Sequence, residues 1–189
     1  MTFNTRQALC SPVTCNACQY YSSSTSPTAL HNRNYAITLD SVNYTIHQQG
    51  WLNVEQFYCG SNSIGLSTFT LHLRVQKNIT EFQIRDNFFI LRKGNTIQNT
   101  EVINACDMLN GNYGNAMIKL SILELHQVTR PVFLCPLIEN TLYIITNYTL
   151  RPSVYPPYLP LMSYVEIVEF SMGGVHYLDL IFKGRVKKA

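Results

Sequence analysis

The segment Phe69-Thr70-Leu71-His72-Leu73-Arg74-Val75-Gln76 alternates four apolar with four polar residues. Successive side chains of a β-strand point to opposite faces of a sheet, so this alternation predicts a strand with one buried and one solvated face. The buried face needs a second layer to cover it. The segment therefore predicts a protein built from facing β-sheets.

Similar patterns occur on both sides of this segment. Phe82 to Leu91 alternates at first and then becomes apolar on both faces, and Gly173-Gly174 supplies the positive φ angles of a hairpin turn. Further strands are predicted at Tyr35 to Ile46, Leu142 to Leu150, Ser163 to Phe170 and Val175 to Phe182. Six or more short strands at regular spacing predict an all-β protein, an antiparallel β-sandwich.

Two cysteines lie in similar apolar surroundings on either side of the one helical pattern. Cys106 follows Val102-Ile103-Asn104-Ala105, and Cys135 follows Val132-Phe133-Leu134. Between them, Ala116 to Val128 has the apolar spacing of a short amphipathic helix. We expect a disulfide between Cys106 and Cys135 that ties this helical insertion to the β-framework, with two buried thiols as the alternative.

Composition limits the classes of partner. The 189 residues are 46% hydrophobic, which is enough for one sizeable core, and carry a net charge of +3 without an arginine-rich stripe. No apolar run approaches the ~18 residues of a membrane span. We therefore expect neither nucleic-acid binding nor a membrane span, and one folded domain, residues 34–189, after a flexible Ser/Thr-rich leader, residues 1–33.

Three N-x-Thr sequons, at Asn43, Asn78 and Asn147, are candidate glycosylation sites. Together with six cysteines, they favour a secreted, extracellular protein. The first 30 residues lack the features of a signal peptide, so either a leader was removed or the native start lies elsewhere.

The leader carries Cys10, Cys15 and Cys18, which could supply three ligands of a zinc site, with Cys59, His31 or His47 as the fourth. Structural zinc sites normally use two closely spaced ligand pairs, and only one such pair is present. We predict no metal and no cofactor.

No catalytic constellation emerges from the sequence. The histidines at positions 31, 47, 72, 126 and 176 are scattered and none lies in a nucleophile or two-histidine motif. Asp107 opens the helical pattern, so we interpret it as a helix cap, and Tyr155 to Pro160 as a rigid connection between sheets. The protein is predicted not to be an enzyme.

Several short motifs follow one another in an order that resembles a known family. They are Gln56-Phe57-Tyr58-Cys59, Phe88-Phe89-Ile90-Leu91-Arg92, Val102 to Leu109, Cys135-Pro136 and Tyr155-Pro156-Pro157-Tyr158-Leu159-Pro160. Over residues 35 to 183 the chain resembles an insect domain-of-unknown-function family that includes the CheB-type chemosensory proteins. That family is similar in turn to the ML lipid-recognition fold of sterol carriers and the ganglioside activator. The resemblance implies an immunoglobulin-like, ML-like β-sandwich and a role in chemosensory or pheromone response.

The chain departs from the family at its first cysteine, where Ser41 to Tyr44 contains none. Cys59 therefore lacks the partner that the resemblance implies. It pairs with Cys10, Cys15 or Cys18, or remains a free thiol.

The apolar interior remains as the candidate site. A sandwich that opens along one edge can hold a lipid, fatty acid, sterol or hydrocarbon at about 0.8 kcal/mol per buried methylene, without a catalytic group. The predicted lining residues are Phe69, Leu71, Leu73, Phe82, Ile84, Phe88, Ile90, Tyr143, Ile145, Val165, Ile167, Leu178, Leu180 and Phe182. The alternative is a closed-core adaptor or co-receptor that contacts a receptor or channel, for example through Ala116 to Val128.

Overall fold

The computed structural model describes residues 5–9, 34–92, 95–113 and 116–189. Its strands are β1 (Thr5–Leu9), β2 (Tyr35–Ile46), β3 (Leu52–Ser61), β4 (Ser67–Val75), β5 (Gln83–Arg92), β6 (Asn95–Asn104), β7 (Thr129–Arg130), β8 (Leu142–Thr149), β9 (Met162–Met172) and β10 (Val175–Lys188). The helices are α1 (Ala105–Leu109), α2 (Ala116–Val128) and a short 3-10 helix, Pro152–Val154.

The strands form two antiparallel sheets. The six-stranded sheet has the order β1-β2-β10-β9-β5-β6, and the four-stranded sheet has the order β3-β4-β8-β7. The two sheets pack face to face, which confirms the prediction of an all-β sandwich. Its ML-like character stays a prediction.

Aromatic rings join the two layers. Phe182 of β10 lies 5.4 Å from Phe57 of β3 and 5.3 Å from Phe69 of β4, measured between ring centroids. Because Phe57 and Phe69 belong to the four-stranded sheet, these contacts show which face of β10 is turned inward. Offset aromatic contacts of this kind add to the free energy of area burial.

The segment with the most regular apolar alternation forms strand β4, as predicted. In β4, Leu71, Leu73 and Val75 are buried, and His72 and Arg74 between them are half-buried. The predictions for β2 and α2 coincide with the observed elements at both ends.

Four strands, β1, β3, β6 and β7, were not predicted, and the reasons differ for the two longest of them. In β3 the pairing with β4 shifts register between Val54 and Gln56, so the apolar alternation is interrupted. In β6 most residues are polar, which an edge strand tolerates because one side of it has no neighbouring strand.

The predicted disulfide that links the helical insertion to the β-framework is present. Cys106 and Cys135 form a disulfide with 5.3 Å between their Cα atoms. Helix α1 begins after Asn104, whose side chain accepts a hydrogen bond from the backbone N–H of Asp107 at 3.1 Å. Asn104, not Asp107, is therefore the cap, because the capping side chain must precede the first helical residue.

Part of the predicted leader belongs to the sheet. Residues Thr5–Leu9 form β1 and pair with β2, with Thr5 opposite Thr45. Cys59 is disulfide-bonded, so the free-thiol alternative is wrong. Since Cys106 and Cys135 join each other, the partner of Cys59 lies outside the described residues, as do Cys10, Cys15, Cys18 and His31.

Gly184 of β10 allows the closest approach between strands. A Cβ at this position would lie 2.1 Å from the Thr38 carbonyl oxygen of β2 and 2.6 Å from the Tyr164 hydroxyl oxygen. The carbonyl cannot move away without separating β2 from β10. We expect Gly184→Ala to lower the free energy of unfolding by about 2–3 kcal/mol in urea titrations, whereas Lys187→Ala on the exposed side of the same strand leaves it unchanged. Equal stability of the two variants would contradict this contact.

Candidate functional site

A carboxyl group lies between the two sheets. Glu166 of β9 is directly opposite Phe88 of β5 on one side and Phe182 of β10 on the other. Residues directly opposite in an antiparallel pair share a face of the sheet. Because Phe182 contacts the four-stranded sheet, Glu166 also points into the space between the layers.

A second carboxyl group lies on the same face. Asp86 is two residues from Phe88 along β5 and opposite Glu101 of β6. Glu101 accepts a hydrogen bond from the Tyr113 hydroxyl. By contrast, the Oδ1 atom of Asp86 is buried and has no hydrogen-bond partner among the described residues. A buried oxygen without a hydrogen bond costs desolvation free energy, and no contact among the described residues offsets that cost.

Half-buried side chains surround these carboxyl groups on the inward face of the six-stranded sheet. Glu166 lies deep in the fold, yet its side chain is only half-buried by surface area, and Phe88 beside it is also half-buried. Tyr148 of β8 and Tyr155 after the 3-10 helix are half-buried as well. An inward side chain that keeps accessible surface is not fully covered by the opposite layer. We name Asp86, Phe88, Tyr148, Tyr155 and Glu166 the inner cleft.

Burial sets the protonation of the carboxyl pair. Burial, followed by the charge of Asp86, raises the pKa of Glu166 to about 8. Burial, followed by the charge of Glu101, raises the pKa of Asp86 to about 6. At neutral pH Glu166 is therefore mostly a neutral acid that can donate a hydrogen bond, and Asp86 is mostly a carboxylate that can only accept one.

The tyrosines around the pair stay protonated. Burial raises the pKa of Tyr148 to about 12, against the small lowering by its hydrogen bond to Ser121. Burial also raises the pKa of Tyr155 well above its usual range, and Glu166 adds to this. The inner cleft thus combines aromatic surface with neutral hydroxyl groups and one anionic group.

The segment Tyr155 to Pro160, which contributes Tyr155 to the inner cleft, is held in place by Tyr35 of β2. Its hydroxyl donates to the Pro156 carbonyl at 2.6 Å and lies 3.2 Å from the Pro152 carbonyl. Tyr155 and Leu159 pack on the core. This arrangement agrees with the interpretation of Tyr155 to Pro160 as a connection held against the sheets.

Most of the predicted lining residues belong to the core. The buried ones are Leu71, Leu73, Phe82, Ile84, Tyr143, Ile145, Leu178, Leu180 and Phe182, and the half-buried ones are Phe69, Phe88 and Ile90. Of this set, Phe88 borders the inner cleft. Ligand contact by any of them stays a prediction.

Val165 and Ile167 point the other way. They alternate along β9 with Tyr164 and Glu166, so they lie on the opposite face of the sheet. Their apolar character suggested an inward orientation, while the inward position between them is occupied by Glu166. Sequence reasoning missed Glu166 for this reason, and it missed Asp86 although Ile84 and Phe88 in the same alternation were predicted to face inward. The available signal was a charged residue within an otherwise apolar alternation, as in Ile84, Asp86 and Phe88.

A separate apolar groove lies on the surface beside the disulfide. It has a volume of about 360 Å³, and its apolar lining includes Met108, Leu109, Ile122, Leu123 and Leu134. None of the predicted lining residues borders it. On α2, the side chains of Leu120 and Leu123 are 52% and 59% exposed.

The prediction that the histidines are scattered is wrong for His47 and His176. Both imidazoles contact the carboxylate of Asp179, His47 Nε2 at 2.8 Å from Oδ2 and His176 Nε2 at 2.6 Å from Oδ1. The two imidazole rings lie 4.1 Å apart between centroids. This cluster lies at the end of β2, away from the inner cleft.

The sequons occupy different settings. Asn78 and Asn147 are exposed, and Asn147 adopts a positive φ of 51°. Asn43 is half-buried within β2, between β1 and β10. Glycosylation stays a prediction at all three.

A scan against protein-family models finds no match to this chain, and a search of curated proteins finds none either. Among residues 5–9, 34–92, 95–113 and 116–189, no helix has the length and apolar character needed to cross a bilayer. The resemblance to the chemosensory family and the ML-like fold stays a prediction.

Proposed function

We propose that the protein is a secreted, non-enzymatic binding protein that holds an apolar small molecule with one hydrogen-bonding head group in the inner cleft. The observation that carries this proposal is the buried, orphaned Oδ1 of Asp86 beside Glu166, between two largely apolar faces. Desolvated carboxyl groups in a cleft are typical of functional sites.

The energetics favour a bound partner. A buried polar group without a hydrogen bond costs about 1–3 kcal/mol, and a core of the same shape with apolar side chains would avoid that cost. A head group that bonds to Asp86 and Glu166 would offset it. The aromatic rings of Phe88 and Tyr155 would then contact the apolar part of the same molecule.

The protonation of the pair selects the head group. A hydroxyl can donate to the Asp86 carboxylate and accept from the Glu166 acid at once. A fatty-acid carboxylate would lie against the negative charge of Asp86, and a hydrocarbon would leave both carboxyl groups without a partner. A sterol or a long-chain alcohol therefore fits the inner cleft best.

Other features support an extracellular location and a role in transport. The Cys106–Cys135 disulfide and the three sequons agree with an oxidising, extracellular location. The resemblance to the chemosensory family agrees with transport of an apolar signal to a receptor or channel. The proposal involves no transformation of the ligand.

Binding of a long-chain alcohol tests the proposal. We expect the alcohol to bind more tightly at pH 7 than the fatty acid or alkane of equal chain length, as measured by native mass spectrometry and titration. Above pH 8 its affinity should fall at least about tenfold, because Glu166 loses its proton and two negative charges then occupy the cleft. Asp86 is already ionised there, and Tyr148 and Tyr155 keep their protons.

Glu166→Gln keeps a neutral hydrogen-bond donor, so it should bind the alcohol and lose this pH dependence. Glu81→Gln makes the same chemical change at an exposed position and should behave as the unaltered protein. Equal affinity for alcohol, acid and alkane would overturn the role of the carboxyl pair. Failure to bind any of them would overturn apolar-ligand binding.

A second candidate function rests on the surface groove. Exposed Leu120 and Leu123 beside an apolar groove of about 360 Å³ favour an adaptor that docks a protein partner. Native mass spectra of protein from a eukaryotic secretory host separate the two candidates. A co-purified small molecule favours the carrier, and repeated absence of one favours the adaptor.

A further inference from the structure

The bulge in β10 brings two metal-ligating side chains to one face. His176 and Asp179 are three residues apart, and in a regular strand their side chains would point to opposite faces. The pairing with β9 shifts between His176 and Leu178, so Tyr177 has no opposite residue. The extra residue turns His176 to the face of Asp179, while Tyr177 and Leu178 are both buried.

The end of β2 supplies the third side chain. Backbone N–H groups of His47 and Gln48 donate to the Tyr177 carbonyl at 2.8 and 3.3 Å, which holds His47 against the bulge. His47 Nε2, His176 Nε2 and a carboxylate oxygen of Asp179 all lie within 4.8 Å of one another. Three ligand atoms from two strands therefore converge on one point.

We propose that His47, His176 and Asp179 bind a divalent first-row transition metal ion, with zinc as the reference ion. Two imidazole nitrogens and one carboxylate oxygen form a three-ligand set that leaves a fourth tetrahedral position for water or another ligand. This proposal is independent of the inner cleft.

The geometry requires only a small adjustment. Zinc bonds of about 2.0–2.2 Å in a tetrahedral arrangement place neighbouring ligand atoms about 3.3 Å apart. The two nitrogen–oxygen distances are 2.8 Å to Oδ2 and 2.6 Å to Oδ1 of Asp179, so each pair must open by about half an ångström and the carboxylate must turn to present one oxygen to the ion. In the metal-free state each Nε2–H donates to the carboxylate, and a metal ion bound at Nε2 takes the place of that hydrogen while the imidazole keeps its proton on Nδ1.

The site is accessible from solvent. The side chains of Asp179, His47 and His176 are 15%, 28% and 39% exposed. An ion can therefore enter without separation of the strands. The carboxylate, already aligned by two hydrogen bonds, is pre-organised to bind it.

Zinc titration of the full chain, followed by calorimetry and thermal unfolding, tests the site. We expect one zinc ion per chain and an increase in Tm on zinc addition. Asp179→Asn, His176→Gln and His47→Gln should each weaken binding at least about 100-fold, since each removes one of three ligands. His72→Gln on β4, outside the cluster, is the matched control and should bind zinc as the unaltered protein does.

Cobalt substitution gives a readout that folding alone does not produce. The unaltered protein should show the visible absorption of tetrahedral Co²⁺, and the three variants should lose it. Circular dichroism identifies any variant that fails to fold, and the remaining two then decide. No saturable 1:1 binding by the unaltered protein, or undiminished binding by the folded variants, would overturn the proposal.

Discussion

Simultaneous replacement of Cys106 and Cys135 by serine should lower the free energy of unfolding by about 3–4 kcal/mol. The bridge closes a loop with a sequence separation of 29, and in the chain-entropy model its loss frees the unfolded chain by this amount. Urea unfolding followed by far-UV circular dichroism measures the change. The double variant isolates this bridge, whereas a reductant would also break the disulfide of Cys59.

Treatment of the double-serine variant with a reductant is the control, because among the described residues only the disulfide of Cys59 then remains to be broken. Dithiothreitol should further destabilise the double-serine variant by breaking the Cys59 bridge, and limited proteolysis of that variant should cleave first near α2. A loss of less than about 1 kcal/mol would show that the contacts of α1 and α2 hold the insertion without the covalent bond.

The stability of the protein should fall as pH rises from about 4.5 to about 8. Over this range the unfolded chain has released the Glu166 proton, while the folded state keeps it because burial raises the pKa. The folded state thus binds more protons, so the free energy of unfolding decreases with pH. Asp86 adds a smaller decrease in the same direction between pH 3.8 and about 6.

Glu166→Gln should remove the upper part of this decrease. At pH 8 the variant should be more stable by about 1–3 kcal/mol, because a buried ionisable group is replaced by a neutral amide. Below about pH 6 the part of the slope that belongs to Asp86 should persist, since burial and Glu101 raise the pKa of Asp86. Chemical unfolding at several pH values measures both effects.

Glu81→Gln at an exposed position is the matched control and should reproduce the unaltered pH profile. If Glu166→Gln retains the full decrease between pH 6 and 8, another group is responsible and Glu166 is ionised in the folded state.

Local sequence patterns were sufficient to predict those strands and helices whose ends are marked by particular residue types. The apolar alternation of β2 ends at Ile46, before a polar turn, and the helical spacing of α2 ends ahead of Pro131. In these cases periodicity and breaking residues act over a few positions, and no distant contact competes with them.

Apart from the charged residue within the apolar alternation of β5, the candidate sites required information that no local pattern holds. Glu166 reaches the space between the sheets because β9 pairs with both β5 and β10, whereas the apolar Val165 and Ile167 suggested the opposite orientation. His47 and Asp179 are 132 residues apart in the chain, and they meet because β2 pairs with β10. Strand pairing and bulge position decide both sites, and neither follows from residue spacing.

The position of β9 and β10 has a consequence during synthesis. These two strands lie between β2 and β5 in the six-stranded sheet, yet they follow the whole four-stranded sheet in the chain. While the ribosome is still translating the residues before β9, strands β2 and β5 of the nascent chain lack their partners. The backbone groups of β2 and β5 that later form hydrogen bonds with β10 and β9 are then unsatisfied. Completion of this sheet is therefore a late event, and chains that stall before residue 162 expose strand edges that chaperones recognise.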